Sequence, residues 1–160
     1  MGFGQAIKNC FGKYATFSGR ARRAEFWMFY LFTQLISIVG AALILAIALA
    51  VLPTSEGGDD PSGAELALFF GAIGVVALAS IALVIPLYAA WARRLHDMGQ
   101  SGHWLWLTLV GLGIVPFIMA FIDSERGTNQ WGADPKSAER GAYGTYGQAP
   151  VSQPGYLPPQ

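Results

Sequence analysis

Charge is what this sequence most lacks. Only 12% of its 160 residues are Asp, Glu, Lys or Arg, about half the roughly 25% of an ordinary soluble domain. So few charges cannot solvate the surface of a water-soluble protein of this length. The ten Lys and Arg cancel the ten Asp and Glu, which removes the net positive field that draws proteins to nucleic acid. Cys10 is the only cysteine, so an intramolecular disulfide is excluded and the redox compartment stays open. The histidines are His96 and His103 alone, with Gly99 and Gly102 interrupting any helical face that would join them. Beside Asp97 they are too few for a metal-dependent phosphohydrolase, and neither metal nor cofactor is expected. Nucleophile elbow, Walker loop, dinucleotide fingerprint and zinc spacing are all absent. A non-enzymatic protein is the expectation.

What the chain has instead is hydrophobic length. Apolar residues make up 53% and gather in three uncharged runs whose bodies cover 27–52, 66–91 and 104–122. About 20 apolar residues in a helix cross a hydrocarbon core of ~30 Å. These runs predict an all-α integral membrane protein with a three-transmembrane-helix bundle. The Ala48-Leu49-Ala50 triplet resembles a signal-peptidase site, but the run is far longer than a signal h-region of about 7–15 residues. A retained first span is expected.

Before that span, Phe3, Ile7, Cys10, Phe11 and Tyr14 recur at spacings of three and four, with Lys8, Asn9 and Lys13 on other faces. This predicts a short amphipathic helix over about 3–15 at the inner interface, its lysines near anionic head groups. Ala42, Ala46 and Ala50, and likewise Ala67 and Gly71, place small residues four apart, as close helix packing in lipid requires. Thr33, Gln34 and Ser37 are expected to hydrogen-bond between helices, and Pro86 to kink the second span. Trp27, Tyr30, Tyr88, Trp91, Trp104 and Trp106 fit interfacial belts. Residues 1–136 form the membrane domain, and the Gly/Pro/Tyr-rich 137–160 reads as a disordered tail.

The charges that remain are sorted along the chain. Lys8, Lys13, Arg20, Arg22 and Arg23 precede the first span, whereas the 53–65 loop has no Lys or Arg and carries Glu56, Asp59, Asp60 and Glu65. Arg93 and Arg94 follow the second span. By the positive-inside rule the N-terminus and the 93–103 loop are cytoplasmic and the 53–65 loop lies outside. Three spans then put the C-terminus outside by parity. Mixed charges after residue 122 add no direction, and Gly111, Gly113 and Pro116 offer the third segment a way to bend or re-enter.

FSGRARRAEFW and WARRLHDMGQSGHW each place an Ala-Arg-Arg core beside a span at the same predicted face. Arg22 and Glu25 are three apart and Arg93 and Asp97 four apart, so either pair could meet on a helix. Arg20, Arg22, Arg23, Glu25, Arg93, Arg94, His96 and Asp97 are therefore the candidate cluster. It could recognise an anion or lipid head group through guanidinium forks, or consist of internal ion pairs and anchoring charges. A structural turn is predicted at GTNQWGADP, using Gly127, Asn129, Trp131, Gly132, Asp134 and Pro135.

Together F-x-G-R-A-R-R-x-E-F-W at Phe17–Trp27, A-R-R-L-H-D-x-G-x-S-G-x-W at Ala92–Trp104 and G-x-N-x-W-G-x-D-P at Gly127–Pro135 resemble a family. It is that of the small bacterial inner-membrane proteins of the YhaH/YhaI type, the domain of unknown function numbered eight hundred and five. The resemblance covers roughly residues 8–136. Trp131 stands where an aromatic, often Phe, is usual, and His103 where many relatives have Trp. It implies an α-helical protein of the bacterial inner (plasma) membrane and brings no activity. The leading functional expectation is a lipid- or partner-binding protein with a basic cytoplasmic face. Its partners would be membrane lipids, anionic ones among them, a membrane protein or a second copy, and no nucleic acid. Two alternatives are a small oligomeric transporter or channel lined by Thr33, Gln34, Ser37 and Ser80, and a membrane enzyme using His96 and Asp97 on a lipid or phosphate substrate.

Overall fold

The computed structural model describes residues 1–51, 60–138 and 141. Glu56, Asp59 and the tail after residue 138, apart from Gly141, lie outside the described residues, and with them the expectations about the acidic loop and a disordered tail. Among the described residues the chain is helical, with no β-strand beyond one isolated bridge between Asn129 and Gly132.

Two long helices carry the architecture. α1 covers Phe3–Gly12, α2 Arg23–Val51 and α3 Gly63–Asp97. Among the described residues α2 and α3 are the two helices long and apolar enough to cross a membrane, and no residue in the most apolar stretch of either is buried by protein. At ~1.5 Å per residue both exceed the ~30 Å hydrocarbon core. Ser62 starts α3 with a capping box: its side chain accepts from Glu65 N, and the Glu65 carboxylate accepts from Ser62 N at 2.8 Å. These contacts satisfy orphan amides of the first turn. α3 stops after Asp97, where Gly99 takes a left-handed φ of 79°.

Pro86 does not interrupt α3. It removes the amide that would bond to the Ala82 carbonyl, and the Tyr14 hydroxyl donates to that carbonyl instead. α1 packs against both α2 and α3. Its Ala6 and Cys10 are buried, while Lys8 and Lys13 remain exposed. Phe11 meets Phe29 and Phe32 edge-on, with centroids 5.5 and 6.1 Å apart. The amphipathic helix is thus present, held to the bundle by its apolar face.

The third apolar segment departs from the sequence expectation. It forms a 3₁₀-helix over Gly102–Val110, a left-handed Gly111 with φ 81°, and a six-residue α4 over Ile114–Met119. Its contacts trace an excursion and a return. It leaves with Gly102 against Ala92 and climbs until Thr108 meets Tyr88, with the hydroxyls 3.0 Å apart. It turns where Leu112 N bonds to Leu107 O at 2.8 Å. It then descends, so that Pro116 O accepts from Trp91 Nε1 and Ala120 O from Arg94 Nε, each at 3.1 Å. Ser124 finally donates to Asp97. Tyr88 and Asp97 are nine residues apart, about 14 Å along a helix, less than half a hydrocarbon core. The segment starts and finishes at the same end of α3. Among the described residues the expected third span is therefore a hairpin rather than one continuous helix, and two helices, α2 and α3, have the length and apolarity to cross a membrane. The reversal falls at Gly111 with its left-handed φ, and Gly113 permits the close return, since a Cβ there would stand 3.3 Å from Thr108 Cγ2.

The core is one-sided. Every buried residue of α2 lies within Glu25–Thr33 and every buried residue of α3 within Pro86–Asp97. Phe26, Trp27, Tyr30, Trp91 and Phe117 form a continuous aromatic cluster there. Trp91 is a core residue, 7% exposed, rather than the interfacial anchor its position in the sequence suggested, whereas Trp106 is 66% exposed.

Candidate functional site

All eight residues of the candidate cluster converge at the Asp97 end of α3. The reason is local. A buried helix end needs partners for its last carbonyls, and the chain supplies them from both flanks. Ala21 N donates to Arg93 O at 3.0 Å, Glu125 N to Asp97 O at 2.8 Å and Asn129 Nδ2 to His96 O at 2.9 Å. The GTNQWGADP turn is the wedge that reaches this end. Gly127 and Gly132 adopt positive φ, and Asn129 and Gly132 exchange two backbone hydrogen bonds. Trp131 stacks on the His96 ring at 4.6 Å with 7° between planes. Asp134 accepts from Lys136 N at 2.8 Å, and Pro135 O takes a hydrogen bond from Arg22. Together these contacts cap the end of α3.

Asp97 is the centre. Fully buried, it accepts from Arg20 Nε at 2.9 Å, from Arg94 Nη1 at 2.6 Å and from the Ser124 hydroxyl. Arg20 spends the rest of its fork on carbonyls: Nη1 on Gly127 O and Gly132 O, Nη2 on Asp97 O and Glu125 O. Arg94 bonds to Ala120 O and Ile122 O. These two guanidiniums therefore tie the N-terminal segment, the returning hairpin and the 125–132 turn to one carboxylate. A buried ion pair is retained when such additional hydrogen bonds compensate its desolvation.

A second buried pair joins α2 to α3. Arg93 Nη1 meets Glu25 Oε1 at 3.2 Å, Arg93 Nε donates to Ala89 O, and the Cys10 thiol donates to the same Glu25 oxygen at 4.0 Å. Arg93 Nη2 is buried without a hydrogen-bond partner. Burial, with the Glu25 charge beside it, pushes the Cys10 thiol up to about 11. The expected partners are thereby exchanged: Glu25 pairs with Arg93 rather than Arg22, and Asp97 with Arg94 and Arg20 rather than Arg93. Successive helical residues point about 100° apart, so Arg93 and Arg94 serve different neighbours.

At the rim, Arg23 and Lys136 both reach Asp123, at 3.1 and 2.8 Å. The Lys136 ammonium and Ser124 N–H hydrogen bonds hold its carboxyl down at about 2. The arginines of the cluster are thus engaged within the fold, which is the ion-pair alternative of the sequence reading. His96 stands apart at the edge, its Nδ1 3.2 Å from Gly19 O. Thr33, Ser37 and Ser80 each donate to a carbonyl of their own helix. Thr33 and Ser37 thus make no bond between helices, and Gln34 is exposed. The role of Ser124 has no signal in the sequence, and Tyr14 stands there only as part of the amphipathic face, because both bond to partners far away in the chain.

Known proteins bear out the membrane assignment. The model of the family described as Protein of unknown function (DUF805) matches residues 14–133. The Inner membrane protein YhaI of Escherichia coli strain K12 is 34% identical over 125 residues, covering 77% of this chain and 88% of the relative. The Inner membrane protein YhaH of the same strain is 30% identical over 126 residues, covering 77% and 89%. No solved structure matches the chain. Two apolar helices of membrane-crossing length, the three motifs locked into one network and these relatives agree: the chain belongs to the DUF805 family.

Proposed function

We propose that this protein is a non-enzymatic inner-membrane protein that associates with anionic lipid through the cations its own network leaves free. The observation that carries this reading is the division of charge. Lys8, Lys13 and Arg126 are exposed and make no ion pair among the described residues, and they lie on the segments that converge at the Asp97 end. Asp60 and Glu65 stand at the opposite end of α3. Cationic segments remain cytoplasmic and attract anionic head groups by about 1 kcal/mol per Lys or Arg near the surface. The N-terminus, the 98–103 turn and residues 123–136 would then all be cytoplasmic. The test is native mass spectrometry of the full chain extracted from its membrane. Retained phospholipid should be enriched in anionic species, and Lys8→Gln, Lys13→Gln and Arg126→Gln together should abolish the enrichment. Equal enrichment in the triple variant contradicts the proposal.

A second reading rests on Gln34. It is exposed about 16 Å along α2 from Arg23, with no side-chain partner among the described residues. An amide in hydrocarbon gains from a partner that is both donor and acceptor, and the same side chain on a second copy supplies one. Cross-linking in native membranes should give a dimer that Gln34→Leu removes. A dimer unchanged by that substitution contradicts this reading.

A further inference from the structure

A cleft of about 610 Å³ runs beside the network, between α3 and the 3₁₀-helix. Along α3 its lining extends from Val84 to His96, about 18 Å of helix. That matches the ~15 Å of acyl chain in one leaflet of a ~30 Å core. The cleft is thus a slot of leaflet length, and an acyl chain laid along it would meet the wall at ~4 Å carbon contacts. Gly102 opens the slot at its base: a Cβ there would stand 3.2 Å from Ala92 Cβ and 3.3 Å from His96 Nε2.

The lining changes character along its length. In the middle, the hydroxyls of Tyr88 and Thr108 face one another at 3.0 Å, and Thr108 also bonds Leu105 O at 2.7 Å. Their polarity is spent internally, so the wall offered to a ligand is hydrocarbon. At the network end the lining turns polar with His96, Ser101 and His103. His96 Nδ1 donates to Gly19 O, which in the neutral ring leaves Nε2 an acceptor. Ser101 and His103 pair with each other at 2.6 Å. None of the five cluster arginines lines the cleft.

From this gradient we infer that the cleft holds one acyl chain of a bilayer phospholipid, inserted from the leaflet at the network end, with its head group beside His96 and His103. The site is distinct from the peripheral cations Lys8, Lys13 and Arg126 and depends on shape rather than on head-group charge.

The experiment uses the full chain in phospholipid nanodiscs with a phosphatidylcholine probe bearing a photoreactive group along one acyl chain. Cross-links should concentrate on Val84, Trp106 and Leu109, about tenfold above Ile81, which is exposed on the same helix but outside the cleft. Filling the slot with Val84→Trp and Leu109→Trp should abolish that excess, and Ile81→Trp should leave it. Val84 and Leu109 are already exposed, so the substitutions do not disturb the core, and Leu109→Trp alone gives an independent partial block. A fatty acid with the same acyl chain should compete with the probe, and a short-chain acid should not. Equal labelling of Ile81 and Leu109, undiminished labelling in the filled variants, or no competition by the long-chain acid would each overturn the assignment. A zwitterionic probe keeps this outcome separate from the anionic preference proposed above.

Discussion

The two halves of the α2–α3 hairpin are built by different rules. At the Asp97 end, α1, the 102–122 hairpin and the 125–132 turn close over buried arginines and carboxylates. At the far end α2 and α3 run on with no buried residue between 34 and 51 or between 63 and 85. There the helices touch only where size permits: a Cβ on Gly40 would lie 2.9 Å from Val76 Cγ1. Lipid provides no hydrophobic drive between helices, so association in the membrane falls to close packing and hydrogen bonds. The network half supplies the hydrogen bonds and the far half only the packing. Buried charge is tolerated when each charged group has an interior partner, and here that partnership gives the domain its shape.

Substitutions in the two halves should therefore differ in cost. Asp97→Ala leaves Arg20 and Arg94 buried without their shared counter-charge. A loss of about 3–5 kcal/mol is expected, read by denaturant titration of the protein in detergent. Gly40→Leu forces the far halves apart, with an expected cost of about 1–3 kcal/mol in the same titration. An equal or larger loss than for Asp97→Ala would break the comparison. Asp123→Asn tests the rim of the network. That carboxylate is 60% exposed, so the effect should stay within the ~0–1 kcal/mol of surface pairs. Its pKa is depressed to about 2 from 3.8. The native contribution is therefore complete above about 4 and disappears as pH falls towards 2. The variant should lack that component of acid sensitivity.

Much of this was readable from the residues. Runs without charge forecast α2 and α3, because composition and length suffice to recognise a crossing helix. The three motifs forecast where the cluster would gather. Composition could not separate one continuous helix from a hairpin at 104–122, since both present the same apolar residues. Gly111, Gly113 and Pro116 allow a bend, but the return rests on long-range partners, Arg94 with the carbonyls of Ala120 and Ile122 and Asp97 with Ser124. Helical spacing chose the wrong partners for Glu25 and Asp97 for a related reason. Spacing reports neighbours on one helix, whereas Arg20 lies 77 positions from Asp97, and Arg93 lies 68 from Glu25. Trp91 likewise looked interfacial until the hairpin was found to cover it.

The central proposal is that the chain crosses the membrane twice and that residues 102–122 return to the side they left. Cysteine accessibility in intact spheroplasts and inverted vesicles tests it directly, using Ser62→Cys, His103→Cys and Arg126→Cys with a membrane-impermeant maleimide. Cys10 stays silent because it is buried and its thiol is pushed up to about 11, which leaves little of the reactive thiolate. The hairpin predicts that positions 103 and 126 label from the same side and position 62 from the other. Labelling of 103 and 126 from opposite sides would contradict it.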